Sequence, residues 1–500
     1  MKMRILQQFS ILQSIILLAL CVAMATSVPA QTFTTLATFN GKNGRNPAGP
    51  LVQGTDGNFF GTTEEGGANC NGHGQYGCGT VFKITPNGAL TTLYSFCSQP
   101  NCADGGTPGI SLVQGTDGNF YGTTYGGGSV EVGGTFFKIT SKGKLTTLYD
   151  FCSQPNCTDG IGPIEVVQGA DGNFYGTTFE GGTGGQSGGT VFKITAKGKL
   201  TTLYNFCSQP NCADGEVPYA GLMQATDGNF YGTTQYGGTG GYGGSGTIFK
   251  ITGKGKFTSL YSFCSQPNCL DGAYPSGSLA QGSDGNIYGT TGEGGTTFGG
   301  TVFQITPEGV LSTLYNFCTQ PNCPDGYDPI GGLALATDGN FYGTTNDDFF
   351  AGTIFRITPI GAETTLYTFC SQPNCADGAN PLDNPVQSTD GTFYGLTSFG
   401  GIYSCDPNDS GCGTAFSLSV GLGPFVETRP TSGKIGKKVI VLGNNLTGAS
   451  SVEFNGTSAT FKVVSATEVT TKVPQGATTG FVTVTTPNGT LTSNVQFVIP

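Results

Sequence analysis

Cysteines and carboxylates are the residues of this chain best equipped to do chemistry. Its 500 residues include 17 Cys, 32 Asp or Glu, one His and no Trp. With His73 as the lone imidazole, a Ser-His-Asp triad is excluded unless His73 serves, and multi-histidine metal sites are excluded outright. Six cysteine pairs repeat the motif C-x-x-x-x-C: Cys97/Cys102, Cys152/Cys157, Cys207/Cys212, Cys264/Cys269, Cys318/Cys323 and Cys370/Cys375. Two more close pairs are Cys70/Cys78, which brackets His73, and Cys405/Cys412. Each repeated motif offers two thiolates and no histidine, short of the four ligands of a structural zinc site. The pattern reads instead as eight local disulfides of an exported protein. Chain entropy assigns each short loop about 2 kcal/mol, chiefly by pinning the loop itself.

The acids fall into two repeated series. Asp56, Asp117, Asp171, Asp227, Asp284, Asp338 and Asp390 each precede Gly and read as caps of tight turns. Asp104, Asp159, Asp214, Asp271, Asp325 and Asp377 follow the cysteine motifs. Hard cations take oxygen ligands, so this second series offers Ca²⁺ a site with nearby carbonyls. No repeat has the dense D-x-D-x-D spacing of a calcium loop, and no catalytic, cofactor or metal residue is assigned. His73 reads as solvated rather than catalytic.

The N-terminus has the form of a secretory leader. Lys2 and Arg4 supply the positive end, Ile11 to Leu20 the apolar stretch, and Val28-Pro29-Ala30 the small-residue cleavage pattern. Cleavage near Ala30 removes Cys21 and leaves an even 16 cysteines. The apolar stretch is too short for a membrane span, and Leu20 stands where a lipoprotein signal ending at Cys21 wants a small residue. The expected location is extracellular or cell-surface.

Self-similarity decides the expected fold. The phrase Asp-Gly-Asn-Phe-Tyr-Gly-Thr-Thr recurs seven times with small changes, its Asp residues being the first series above. Between copies, four segments of β-branched and aromatic residues alternate with Gly, Asp and Pro turns. Each repeat is therefore a four-stranded antiparallel meander, with strands A to D in chain order. Seven such units that cannot bury both faces alone predict an all-β protein built on a seven-bladed β-propeller, ahead of a β-solenoid. The mature chain begins on a D-type strand, Phe33 to Phe39, and the last repeat stops on a C-type strand, Thr414 to Val420. The N-terminal strand is thus expected to complete the last blade and leave no open edge.

The stretch from Gly189 through Thr-Val-Phe-Lys-Ile-Thr and Leu-Thr-Thr-Leu-Tyr to Phe206 resembles the GloVer-type tandem repeat of exported bacterial proteins, the choice-of-anchor class. That resemblance implies export and a bacterial source, and no reaction. Residues 421–500 are similar to the IPT/TIG type of immunoglobulin-like β-sandwich, carried by Pro424, Pro430, Gly433, Val439 to Gly443, Val473-Pro474 and Phe481 to Val484. In exported bacterial proteins such a module implies a spacer or adhesion role. The expected organisation is a leader over 1–30, a propeller over 31–420 and the sandwich over 421–500.

Charge separates the two folded parts. The net charge of −11 divides, once Lys2 and Arg4 leave, into a propeller near −16 and a sandwich near +3. Nucleic acid is an improbable partner for such an acidic body. Loops joining B to C and D to A share one propeller face, and turns joining A to B and C to D share the other. The turn face carries Lys142, Lys144, Lys197, Lys199, Lys254 and Lys256. The loop face gathers acids, among them Glu64, Glu65, Glu131, Asp348, Asp406, Asp409 and the Asp104 series. Tyr125, Phe179, Glu180, Tyr236, Glu293, Asp347 and Phe349 are the candidate binding residues there, with Tyr242 and Tyr403 further along. Aromatic faces among carboxylates suit sugars, while packing of these rings between loops is the plainer alternative. The function expected is a non-catalytic, monomeric, secreted binding protein for carbohydrate or protein at the cell surface, without a membrane span. The alternatives are a polysaccharide hydrolase or lyase with a carboxylate pair on that face, and a structural component of a surface layer.

Overall fold

Period-two alternation in the phrase Phe-Tyr-Gly-Thr-Thr determines how each repeat packs, because successive side chains of a strand leave on opposite faces. In the fourth repeat, Phe230 packs toward the preceding blade with Phe249, Ile251 and Leu222. Its neighbour Tyr231 packs toward the following blade with Ile248 and Leu279. Both faces of the sheet are therefore buried between neighbours. Gly232 interrupts the phrase because a Cβ there would meet the Phe249 ring at 2.7 Å and Leu222 at 2.8 Å. Removing that methyl lets the C-strand phenylalanine and the A-strand leucine close over the B strand.

The computed structural model describes residues 31–70, 78–130, 132–184, 188–241, 244–346, 352–405 and 411–500. The expected leader, His73, Glu131, Tyr242, Asp347, Asp348, Phe349, Asp406 and Asp409 lie outside the described residues. Seven antiparallel four-stranded sheets form a seven-bladed β-propeller. Blade 3 is typical: A is Ile161–Gln168, B Phe174–Glu180, C Thr190–Ile194 and D Leu200–Asn205. Blade 7 combines Val386–Gln387, Phe393–Thr397 and Thr414–Ser419 with the first strand, Thr32–Thr38. That first strand runs antiparallel to Thr414–Ser419 from Thr32 opposite Ser419 to Thr38 opposite Thr414. The start of the chain thus closes the ring, as the phase of the repeats predicts.

Six of the seven blade junctions stack a B-strand ring of one blade on a B-strand ring of the next. The pairs are Phe60–Phe120, Tyr121–Phe174, Tyr175–Phe230, Tyr288–Phe341, Tyr342–Phe393 and, across the closure, Phe59–Tyr394, with centroids 4.0 to 4.3 Å apart. At the junction of blades 4 and 5, Tyr231 meets Ile287 instead. Each buried ring contributes about 1.5–3 kcal/mol, and each pair adds about 0.5–1.5 kcal/mol. A second tie follows the ring: the glutamine ending strand A accepts the A–B turn N–H of the blade before it. Gln114 takes Thr55, Gln168 takes Thr116, and Gln53 takes Thr389 across the closure, at 3.0–3.1 Å.

Residues beyond the propeller form two four-stranded sheets around Val439, Val441, Val469, Phe454 and Phe497. This sandwich docks on the turn face beside blades 7, 1 and 2. Phe425 N–H and Asn444 Nδ2 donate to the Thr389 carbonyl and hydroxyl, each at 3.0 Å. Thr467 Oγ1 donates to the Thr55 carbonyl at 2.7 Å, and Arg429 Nη1 to Gln114 Oε1 at 3.1 Å. The exposed lysines 142, 144, 197, 199, 254 and 256 stand on the C–D turns of blades 2, 3 and 4.

Phe33 is the ring by which the first strand anchors itself, stacking on Tyr367 at 3.7 Å and lying against Phe369 and Phe416. Phe33→Ala is expected to destabilise the propeller by about 2–4 kcal/mol. Denaturant unfolding followed by circular dichroism measures this; an unchanged midpoint would contradict the anchoring role.

Candidate functional site

The loops between D and A strands are built from the cysteine motifs. Their six pairs are joined: Cys97–Cys102, Cys152–Cys157, Cys207–Cys212, Cys264–Cys269, Cys318–Cys323 and Cys370–Cys375. Cys70–Cys78 and Cys405–Cys412 are joined as well. One expectation about them needs correcting, because the second cysteine in five of the six motifs does more than pin its own loop. Its carbonyl accepts twice, from the glycine that ends its loop and from a glycine just after strand B of the next blade. Gly105 and Gly128 donate to Cys102, Gly160 and Gly182 to Cys157, and Gly215 and Gly238 to Cys212, at 2.8–3.0 Å. Gly272 and Gly295 donate to Cys269, and Gly378 and Gly401 to Cys375, each at 2.9 Å. Cys323 accepts from its own loop's Gly326 at 2.9 Å. The staple thus ties the D–A loop to the B–C loop beside it. To aim these carbonyls, Cys102, Cys157, Cys212, Cys269, Cys323 and Cys375 take left-handed backbone, with φ between 43° and 52°. A run of L-residues does not announce such a conformation. The sulfurs of Cys207 and Cys212 and a Glu216 oxygen lie within 4.8 Å of one another, but sulfurs bonded to each other are not thiolate ligands.

At the centre of each such loop is the aspartate that follows the second cysteine. Asp214 is fully buried and accepts from Tyr204 Oη and Ser208 Oγ at 2.7 Å, Ser208 N at 3.0 Å and Gln209 N at 3.2 Å. Burial alone raises a carboxyl's pKa, but these donors outweigh it and hold Asp214 below its ordinary value. The same four donors surround Asp104, Asp159, Asp271 and Asp377, all fully buried.

This corrects the reading of these five as surface acids or calcium ligands. Their oxygens are already saturated by the loop they organise, so they add nothing to the face. The Asp-Gly dipeptide resembles an exposed turn; the missed signal is the Tyr ten residues and the Ser six residues before each Asp. The first aspartate series does cap turns: Asn58 N donates to Asp56 Oδ1 at 3.1 Å, and its side chain to Oδ2 at 2.8 Å.

What remains for chemistry gathers on the axis. The A strands are innermost, and their backbones approach so closely that a Cβ on Gly277 would sit 2.7 Å from the Gly331 carbonyl. Just ahead of the A-strand Leu, the seven blades carry Pro50, Ser111, Glu165, Gly221, Ser278, Gly332 and Asn384, with Val166 and Pro385 in the leucine's place in blades 3 and 7. Six are small or neutral; Glu165 alone is long and acidic. Its carboxylate spans the axis, accepting from Ser111 Oγ at 2.7 Å in blade 2 and Ser278 Oγ at 3.2 Å in blade 5. Gly221 of blade 4 lies against it, and a Cβ there would meet Oε2 at 2.1 Å.

Asp383 of blade 7 is the second axial acid, accepting the Asn384 N–H at 2.7 Å. Both acids keep a little solvent contact yet lie deep in protein. Burial pushes Glu165 upward against the pull of its serine donors. Burial, and then the Glu165 charge, pushes Asp383 up to about 8. Two carboxyls on one enclosed axis cannot both ionise cheaply.

Above this pair, on the loop face, the residue following Thr-Thr in strand B turns toward the axial mouth. Tyr125 lies over Gly162, which must lack a Cβ because that atom would meet the ring at 2.7 Å. Phe179 packs edge-on to Tyr125 at 5.7 Å and to Tyr219 at 6.0 Å, making an aromatic line over blades 2, 3 and 4. Tyr219 is 41% exposed. Glu64 of blade 1 stands within electrostatic reach of Tyr219 in blade 4. Burial, with the Glu65 charge behind it, pushes Glu64 up to about 7.

The expected binding residues divide between two orientations. Tyr125 and Phe179 belong to the mouth and are half-buried against one another. Glu180 falls one residue later, at the end of strand B opposite Ile161, and Tyr236 and Glu293, in the same register just past their B strands, bridge to Glu216 and Ala273 ahead of strand A. Of these, Tyr236 and Glu293 are exposed. Tyr236 packs edge-on to Tyr274 at 5.5 Å, and Tyr403 is exposed in a later loop. Glu65, in the same register, is ion-paired with Arg45. Glu165, Asp383 and Tyr219 were not among the expected residues.

The Gloeobacter/Verrucomicrobia repeat matches residues 22–156, 70–268 and 211–416. The chain belongs to this repeat family. An IPT/TIG domain matches residues 426–499. Comparison with curated protein sequences gave no significant match. Among solved structures, this repeat-family chain is similar to a putative gluconolactonase at 12% identity, with 78% of this chain and 92% of that chain covered and a TM-score of 0.36. It is similar to a luciferin-regenerating enzyme at 12% identity, with 79% and 98% covered and a TM-score of 0.40. A putative oxidoreductase (glucose dehydrogenase) of Thermus thermophilus matches at 16% identity, with 61% and 95% covered and a TM-score of 0.37. Likenesses this distant carry no residue and no activity to this member of the repeat family.

Two outcomes test the geometry. Asp214→Ala leaves four buried donors without their acceptor and is expected to cost about 3 kcal/mol in denaturant unfolding. Asp383 has a folded pKa above its unfolded one, so its contribution to stability is full below its ordinary value of 3.8 and is lost as pH rises through about 8. The melting temperature of Asp383→Asn relative to wild type is therefore expected to rise over that window; a pH-independent difference would contradict the assignment.

Proposed function

We propose that this is an exported binding protein whose propeller presents the axial mouth of its loop face to a carbohydrate, with the IPT/TIG module as its base. The observation that carries this reading is the opposition of the two faces. The sandwich occupies the turn face beside blades 7, 1 and 2, while Tyr125, Phe179, Tyr219 and Glu64 meet at the other end of the axis. Rings able to stack on sugar faces, next to carboxyls able to donate or accept hydrogen bonds, suit a neutral polyhydroxylated ligand. Variable loops on a rigid scaffold are a common place for recognition. Eight joined cysteine pairs support an oxidising, extracellular setting, as does the leader expected over residues 1–30. No helix among the described residues is long and apolar enough to cross a membrane.

A second reading, hydrolysis or elimination on a polysaccharide, is favoured by the axial acids alone. A carboxyl held protonated near neutral pH is a ready general acid, and a neighbouring carboxylate a base or nucleophile. Asp383 and Glu165 have that chemistry, deeper along the axis than the aromatic line.

A polysaccharide and glycan array with the mature protein, followed by product analysis on each hit, separates the two readings. Binding without turnover is expected. Tyr219→Ala is expected to weaken binding about tenfold, the effect of one stacked ring, and Lys199→Ala on the turn face to leave it unchanged. Silence across the array, or equal binding by Tyr219→Ala, would overturn the proposal; product release abolished by Asp383→Asn would establish the second reading.

A further inference from the structure

One of the six aspartate-centred loops departs from the others, and the next blade departs at the point that touches it. In the loop after blade 5, Thr319 stands where the other five have Ser, and Pro324 stands where they have Ala, Thr or Leu. The change at Pro324 removes an N–H; in the loop after blade 1 the equivalent Ala103 N–H closes the turn on the Pro100 carbonyl at 3.2 Å. The short 3₁₀ turn that the five other loops form is not formed here. Asp325 consequently holds fewer donors, Tyr315 Oη at 2.8 Å and Cys318 N at 3.1 Å, both on Oδ2. Asp325 is 6% exposed, and its Oδ1 is buried without a partner among the described residues. In the five regular loops that oxygen accepts the Gln backbone N–H.

The second departure is Glu363. The first residue of strand D normally covers the D-strand tyrosine of the preceding blade: Phe257 stacks on Tyr204 at 3.8 Å, and Leu145, Leu200 and Leu311 pack with Tyr94, Tyr149 and Tyr261. Over Tyr315 that position is Glu363, at the start of Glu363–Thr368. The Tyr315 hydroxyl donates to Asp325 at 2.8 Å, and Glu363 stands close enough on its other side to interact with both the hydroxyl and the Asp325 charge. Glu363 is half-buried, open to solvent on one side, and one of its oxygens accepts from Thr365 Oγ1 at 3.1 Å.

We propose that Asp325, through its unpartnered Oδ1, and Glu363, the two acids on either side of the Tyr315 hydroxyl between blades 5 and 6, bind a hard divalent cation, Ca²⁺ in an extracellular setting. An unpartnered buried carboxylate oxygen costs folding free energy, and an apolar-to-acid exchange beside it adds to that cost unless something positive joins them. A cation satisfies both acids at once, with oxygen ligands of the kind Ca²⁺ takes. Burial, and the Asp325 charge opposing the Thr365 and Tyr315 hydrogen bonds, pushes Glu363 up to about 7. Protons therefore compete with the cation as the medium becomes acidic. The five regular loops hold no such site, because their donors already occupy both aspartate oxygens.

The test uses the full mature chain and Ca²⁺ itself. Thermal melts at pH 8 in chelator and in 5 mM Ca²⁺ are expected to differ by a few degrees, saturating with a Kd of about 0.1–1 mM. Glu363→Leu restores the residue that four other blades carry, so it is expected to fold and to lose the calcium shift. Thr319→Ser with Pro324→Ala rebuilds the regular loop around Asp325 and is expected to weaken Ca²⁺ at least tenfold. A wild-type melt indifferent to Ca²⁺ would overturn the proposal and leave a shared proton between the two acids. A calcium shift that survives in Glu363→Leu would equally overturn it, by locating the cation elsewhere.

Discussion

The stack of one B-strand ring on the next is the interaction on which the rest of the molecule depends. A four-stranded blade of Gly-rich sequence cannot bury both faces alone, and here one face is completed by the preceding blade and the other by the following one, through a phenylalanine at six junctions and Ile287 at the seventh. That dependence passes from junction to junction until Phe59 meets Tyr394 and the ring must close. Closure places the seven A strands round one axis, and the axis brings Glu165 of blade 3 to Ser278 of blade 5 and near Asp383 of blade 7. Residues more than 200 positions apart in the chain become one polar cluster because rings elsewhere stack.

Repetition also gives departures from it their meaning. A position occupied seven times is a small internal control: a residue that departs from its six counterparts does so against the same backbone. Glu165 among small neutral neighbours, Glu363 among apolar ones and, among the six cysteine loops, Pro324 where an N–H closes the turn in three others are such departures. Each puts a charge, or removes a donor, where the fold gains no stability from the change. The polar chemistry of the molecule is concentrated where the repeat is imperfect.

The architecture was legible in the sequence because period-two strands, turn residues and a seven-fold phrase all describe the same object, and because the missing last D strand matched the extra first one. The cysteine pairing was legible too, from spacing alone. That Cys102 and its counterparts also bridge two loops was not, since it depends on a left-handed backbone that spacing does not reveal. The binding residues were less legible. Tyr125 and Phe179 could be located beyond strand B, but whether they face the axis depends on a one-residue alternation that separates them from Glu180, Tyr236 and Glu293. The Asp104 series was misread because burial of a carboxylate depends on donors ten residues away folding over it. Glu165 was visible only by aligning A strands, where blade 3 is one residue shorter between Pro163 and Val166 than its counterparts and thrusts the glutamate into the channel.

Closure of the ring by the N-terminal strand is the claim from which the axis, its acids and the opposed faces all follow. Hydrogen exchange followed by mass spectrometry tests it directly, because an unpaired terminal segment exchanges fast while a strand inside a blade opens only with the blade. Amides of Thr32–Thr38 are expected to be protected as long as those of their partner Thr414–Ser419. Exchange of Thr32–Thr38 on the timescale of a free terminus, with Thr414–Ser419 still protected, would contradict closure and with it the shared axis.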